Sequence, residues 1–302
     1  MNTLTAFYDL KVGPVSFDVL AFLVQAEMER RRIKADALHV VILPYREGVA
    51  GKFRDKLALY DADEMDFRLW NIVMPACRLI GATVTLANDR THGERIHSGQ
   101  AWPPQWWQQD SKNARHHARE IIAAARQGED VPRLSASDHA LRKVAEWYDR
   151  INRPVITLTR RRTYDAARNS DPEAWDALAE RAEQSGFAVI NIDDTAVALG
   201  RGKGYAELNL DLRMACYQMA AMNWHANGGP SALCWYSHCK FVHVGAAWPR
   251  DPWMKHYEWL GLEYGQQLPW ATPEQQLLYE PGTRTQLLAS FDAWMHQRQQ
   301  KC

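Results

Sequence analysis

Arg153-Pro-Val-Ile-Thr-Leu-Thr-Arg160-Arg161-Arg162-Thr-Tyr-Asp-Ala-Ala-Arg168-Asn169-Ser170 is the stretch that decides how the chain is read. Pro154 cannot continue a preceding helix, and the β-branched and apolar run behind it predicts a strand over 154–159. A loop with four arginines follows. The next helix is expected from Ser170 or Asp171, with Pro172 in its first turn, where a missing N–H costs nothing. Strand, arginine loop and helix start, in that order, are how an α/β protein builds an anion site at the carboxyl edge of its sheet. Guanidinium groups suit phosphate because each offers two parallel N–H donors. A basic loop with its charges in water would give the same residues, so both readings stay open here.

Working outward, the same grammar recurs on both sides. Toward the N-terminus, a first strand is predicted at Ala6 to Leu10 and a helix from a Ser16 cap to Arg32. A nearly continuous apolar strand is predicted over 37–44, a helix over 62–80 and a strand over 82–87. Residues 92–109 read as a loop rich in tryptophan, followed by a helix over 111–127. Residues 129–134 read as the linker, and a helix capped by Ser135 or Ser137 runs to Ile151. Toward the C-terminus, the patterns predict a helix over 171–184, a strand over 187–192, a long helix over 208–225 and a strand over 241–245. Helices are expected near 252–260, 273–279 and 283–297. Strands alternating with helices predict an α/β fold of two Rossmann-like, doubly wound domains facing a central cleft. The expected domains are 1–134 and 135–302, with the final helices free to pack back on the first.

Composition narrows the function. Lys plus Arg and Asp plus Glu both number 36, so no overall field favours nucleic acid as a partner. Five cysteines at irregular spacing argue against a disulfide framework and for a reducing, cytoplasmic setting. Neither a signal peptide nor a membrane-spanning run is expected.

Several residues could carry chemistry. Asn227-Gly228-Gly229-Pro230-Ser231 would let the backbone approach a ligand, with glycines at positive φ and the Ser231 hydroxyl facing a phosphate, or it is a plain turn. Asp9 and Asp18 flank Gly13-Pro14 at the end of the first strand; either could be a general base, or a turn residue and a helix-end charge respectively. Gly200-Arg-Gly-Lys-Gly204 does not match a dinucleotide fingerprint. Cys234, His238, Cys239 and His243 match no common zinc spacing, so no metal is expected.

Taken together, the opening Asp9-Leu-x-x-Gly13-Pro14-x-x-Phe17-Asp18, the stretch from Val155 to Trp175 and the Asn227-Gly-Gly-Pro turn resemble GT-B-type glycosyltransferases, in particular bacterial sugar transferases of surface-polysaccharide biosynthesis. The resemblance implies a C-terminal domain that binds a nucleotide sugar without a metal or other cofactor. Arg160, Arg162, Arg168, Asn169, Gly228, Gly229 and Ser231 would hold the diphosphate. Arg161 is expected to be a surface charge, alternating away from Arg160. The N-terminal domain would take a glycan or lipid-linked acceptor, with Asp18 or Asp9 as base, and the reading allows peripheral association with a membrane. Trp106 and Trp107, and the tryptophans near 248–253, would stack on sugar rings. A nucleotide-sugar epimerase and a non-catalytic binding protein are the alternatives on the same fold.

Overall fold

The computed structural model describes residues 2–44, 62–96, 100–108, 117–162, 169–192, 209–245 and 252–300. Arg168, the Gly200–Gly204 loop, Trp248 and the Trp253 side chain lie outside them. The chain forms two compact units, residues 1–135 and 136–302. Each is a parallel α/β unit of Rossmann type, so the expected fold class holds. Among the described residues no helix is long and apolar enough to cross a membrane.

In the first unit, β1 (Thr3–Asp9), β2 (Ala37–Leu43), β3 (Thr83–Leu86) and β4 (Gln100–Trp102) form a parallel sheet in the order β3-β2-β1-β4. β1 runs the full length of β2, from Thr3 opposite Ala37 to Asp9 opposite Leu43. The helix Val19–Arg32 buries Leu20, Phe22, Leu23 and Val24 and begins after Asp18 rather than at Ser16. The helix expected over 62–80 is interrupted. Pro75 has no N–H to donate and crowds the carbonyl four residues back, and a π turn over Leu69–Val73 absorbs that misfit between the helices Ala62–Arg68 and Met74–Leu79. The stretch read as a loop over 92–109 contains part of the helix Arg90–Ile96, and β4, which completes the sheet beside β1.

In the second unit, β5 (Val155–Thr159), β6 (Ala188–Asn191), β7 (Met222–Ala226), β8 (Phe241–Val244) and β9 (Gln275–Leu278) are all parallel, in the order β6-β5-β7-β8-β9. Two of these overturn the sequence reading. The helix expected over 208–225 stops at Met219, and the chain returns as β7; the segment 273–279 is strand β9, not a helix. β7 lies between β5 and β8, where ladders on both sides outweigh its weak local preference for strand. The final helix, Arg284–Gln299, packs on the second unit's core: Leu287, Phe291 and Trp294 lie against Trp175, Leu178 and Trp224.

The faces of this sheet differ. Ile156, Leu158, Met222, Trp224, Val242 and Val244 form one apolar core with the helices Pro172–Gln184 and Arg284–Gln299. Side chains alternate along a strand, so the other face carries the rows Thr157–Asn223–Phe241–Gln275 and Thr159–His225–His243–Leu277. Its polar groups are paired in place. Gln275 Nε2 donates to the carbonyls of Ser237 (2.9 Å) and Cys239 (2.8 Å), and its Oε1 accepts from the Thr272 N–H at 3.1 Å.

Replacing Gln275 by Leu keeps the volume but strips three backbone groups of their partner. We expect a loss of at least ~2 kcal/mol in urea unfolding, since each buried group left unpaired costs roughly 1–3 kcal/mol. An unchanged midpoint would show that the glutamine does not hold β9 in the sheet.

Candidate functional site

At the carboxyl edge of β5 the chain leaves the sheet through Arg160, Arg161 and Arg162. Arg160 donates through Nη1 to Asp176 Oδ1 at 2.6 Å, and its Nε is buried without a partner. Arg161 is not the surface charge that strand alternation suggests, because β5 ends at Thr159 and alternation ends with it. Its N–H donates to Ser170 Oγ (2.8 Å), its carbonyl accepts from the Ser170 N–H (3.0 Å), and its Nη1 donates to the Asn227 carbonyl at 2.6 Å. The first two bonds clasp the ends of the loop. The third ties it to the turn after β7. Arg161 Nε is also buried and unpartnered. Arg162 is exposed, and Asn169 is half-buried beside Ser170.

The glycine turn differs from its expected form. Gly228 and Gly229 are not among the described glycines with positive φ. The N–H groups of Ser231, Ala232 and Leu233 close onto the carbonyls of Gly228, Gly229 and Pro230, each at 3.1 Å. The Ser231 hydroxyl donates to the Gly228 carbonyl at 2.5 Å and is buried, so it shapes the turn instead of facing a ligand. Among the described residues no hydrogen bond takes the N–H groups of Gly228 and Gly229. Among the described residues, the two glycine N–H groups and the two buried guanidinium Nε atoms are donors here without a partner.

Just inside this edge lies a pair of buried histidines; the sequence marks His243 only within a cysteine–histidine spacing, and His225 not at all. His243 Nδ1 accepts from Trp235 Nε1 at 3.2 Å, so its proton belongs on Nε2, 3.4 Å from Tyr257 Oη. His225, opposite it at 4.9 Å between ring centres, is 1% exposed, and neither ring nitrogen has a partner. Leaving a buried polar group unpaired costs roughly 1–3 kcal/mol. Beside them Thr159 Oγ1 and Tyr217 Oη are 2.7 Å apart, and the fully buried Arg213 donates through Nε to Tyr217 Oη at 3.0 Å.

In the first unit, Asp9 is 4% exposed at the end of β1. Its Oδ1 accepts from the Lys11 N–H at 3.0 Å and its Oδ2 from Arg90 Nη2. Arg90 comes from 81 residues further on, with no local signal to announce it. Asp18 is exposed at the helix start and accepts from Ser16 Oγ at 2.7 Å. Gly13 is required by packing, because a Cβ there would stand 2.7 Å from the Tyr8 ring, whose hydroxyl donates to the Pro14 carbonyl. Trp106 does not offer a face for stacking on a sugar. It is 3% exposed and lies flat on Phe7 at 3.9 Å, within the core of the first sheet. Trp107 is 53% exposed, and its carbonyl accepts from Arg90 Nη1 at 3.3 Å.

Among the described residues no three His, Cys, Asp or Glu side chains are grouped so as to hold a metal ion. Cys234 and Cys239 are buried free thiols, and His238 is exposed.

No protein-family model matches the chain, and no curated protein sequence matches it. Among solved structures it is similar to a glycosyl transferase of family 9 from Veillonella parvula, with 11% identity, a TM-score of 0.53, and 97% of this chain covering 96% of that one. It is also similar to the E. coli ADP-heptose lps heptosyltransferase II, with 13% identity, a TM-score of 0.49, and 99% of this chain covering 100% of that one. At such identity the first likeness speaks for the fold, two Rossmann-like units in the GT-B manner along the whole chain.

The buried histidines make a pH prediction. Burial lowers His243 to about 3; burial first, and His243 second, hold His225 well below the ordinary value of 6.5. The unfolded chain protonates both rings as pH falls through about 6.5, while the native state keeps them neutral. Stability therefore falls on acidification below 6.5, by up to about 1.4 kcal/mol per pH unit for each ring. The half-buried His39, also lowered by burial, adds to the same trend. A urea midpoint should drop between pH 7.5 and 5, with a shallower slope in His243→Gln; a flat profile would contradict the neutral pair.

Proposed function

We propose that the protein transfers a sugar from a nucleotide-sugar donor to a glycan or lipid-linked acceptor, in the assembly of a surface polysaccharide or glycoconjugate. The observation that supports this most is the set of buried, unpartnered guanidinium nitrogens on Arg160 and Arg161, tied by the Arg161–Asn227 bond to a turn with two free glycine N–H groups. Donors fixed in place without partners suit a ligand rich in acceptor oxygens. A diphosphate is such a group. The likeness of the fold to a family 9 glycosyl transferase agrees with it.

In this reading the bond from the donor sugar's anomeric carbon to the diphosphate oxygen breaks as an acceptor hydroxyl attacks. Negative charge gathers on the departing diphosphate, and the cationic loop and glycine N–H groups stabilise it where other enzymes use a metal ion. Arg162, Arg168 and Asn169 would add to this clasp. On the acceptor side we assign the base to Asp18, the exposed carboxylate, because both Asp9 oxygens already accept from Arg90 and the Lys11 N–H. Trp107, exposed like Trp70 in the same unit, is an aromatic face available to a sugar ring.

Thermal unfolding with UDP, GDP, ADP and CMP, alone and as sugar conjugates, tests the donor half. At least one should raise the unfolding temperature, as a ligand at 100 times its Kd adds about 2.7 kcal/mol. Arg160→Ala and Arg161→Ala should each weaken that ligand roughly tenfold or more, the worth of a charge-assisted hydrogen bond. A flat response across the panel would overturn the proposal. For the acceptor half, Asp18→Asn should slow transfer by about 10² or more without changing nucleotide affinity. Equal turnover would remove Asp18 from the role.

A further inference from the structure

We propose that His225 is a ligand-contacting residue of the donor site, its imidazole N–H donating to a phosphoryl oxygen of the bound nucleotide; this rests on the donor reading above. Three observations meet on it.

The first is chemical. The polar side chains in line with it along this face are satisfied: Thr157 Oγ1 donates to Asn223 Oδ1 at 2.5 Å, Thr159 has Tyr217, Gln275 has its three backbone partners, and His243 has Trp235 and Tyr257. Only His225 breaks the rule, and with both nitrogens. An interior that pairs its polar groups so consistently leaves one unpaired where something outside the protein completes it.

The second is position. His225 is the fourth residue of β7, two before Asn227, whose carbonyl holds Arg161. Its register partner on β5 is Thr159, the residue before Arg160. Every buried side-chain nitrogen or oxygen without a partner, among the described residues, belongs to Arg160, Arg161 or His225. They gather at one end of two adjacent strands, where ligands bind in open α/β sheets.

The third is that packing does not require the residue. The ring lies 5.3 Å from Phe241 and 4.9 Å from His243, contacts that an aliphatic side chain could also make. Burial keeps the imidazole neutral, and a neutral ring offers one N–H donor and one acceptor. The donor serves a phosphoryl oxygen; the acceptor remains for a hydroxyl of the same ligand.

His225→Leu, close to histidine in volume, separates a binding role from a structural one. Removing an unpaired group should raise the unfolding temperature of the free protein, and the best-bound nucleoside diphosphate of the wild-type panel should lose about tenfold or more in affinity by calorimetry. His225→Gln, which keeps an N–H donor, should bind more tightly than the leucine variant; His225→Phe, which has no donor, carries the test if His225→Leu does not fold, and an unchanged affinity in either donor-less variant overturns the assignment. A wild-type protein that binds the diphosphate while His225→Leu binds it equally well refutes His225 alone. A wild-type protein that binds none of the panel refutes the donor reading itself.

Discussion

The second unit depends on Asn223. This buried side chain sits in the middle strand of a five-stranded parallel sheet, where an unpaired amide would be costly. Its Oδ1 accepts from Thr157 on β5, and its Nδ2 donates to the carbonyls of Tyr217 (2.9 Å) and Lys240 (2.7 Å). One residue thereby fixes β5, the helix Leu210–Met219 and the start of β8 around β7. Tyr217, located in this way, brings its hydroxyl to Thr159 at the strand end. The row at the carboxyl edge is thus positioned by the row beneath it. Fixed strand ends hold in place the Arg160 and Arg161 Nε atoms and the Gly228 and Gly229 N–H groups, which have no partner among the described residues.

The division of labour between the two faces follows from the same constraint. Trp175, Trp224, Phe291 and Trp294 fill the apolar side and supply area; Trp224 alone meets Phe291 at 5.8 Å and Trp294 at 5.4 Å between ring centres. On the polar side, hydrogen bonds specify which strand lies next to which. A slip of β7 by one residue would send Asn223 and His225 into the tryptophan core and Trp224 into the polar layer. Register is therefore fixed from both sides of the sheet.

Much of this architecture was legible in the sequence, and the failures have physical causes. β2, β5 and β8 declare themselves through apolar, β-branched runs, and the helix Asp138–Ile151 through its Ser137 cap, which accepts from the Ala140 N–H at 3.2 Å. β7 and β9 do not. Met-Asn-Trp-His-Ala and Gln-Gln-Leu-Leu have no local preference for strand, and only neighbouring strands and long-range hydrogen bonds make them so. Reading 208–225 as one helix hid His225 as a sheet-edge residue. At the site, the arginine loop and the glycine turn were legible as candidate anion segments sharing one ligand, but the bond that joins them was not. The bond from Arg161 to Asn227 spans 66 residues, as the bond from Arg90 to Asp9 spans 81, and neither separation leaves a periodic trace.

The charged ends of β1 and β5 show how differently context pairs the same kinds of charge. Asp9 and Arg90 neutralise each other in the first unit, one deeply buried and the other supported by the Trp107 carbonyl and lying 5.7 Å from the centre of the Trp106 ring. A pair so complete has little left to give a ligand, and removing either partner would leave a buried charge alone. At the end of β5, Arg160 has one carboxylate partner, Asp176, which is itself mostly in solvent, and Arg161 has a carbonyl, which carries no charge to cancel its own. Among the described residues positive charge is left over at this edge, beside two glycine N–H groups without a partner. That surplus is the physical ground of the diphosphate site proposed above, since a diphosphate carries both negative charge and acceptor oxygens.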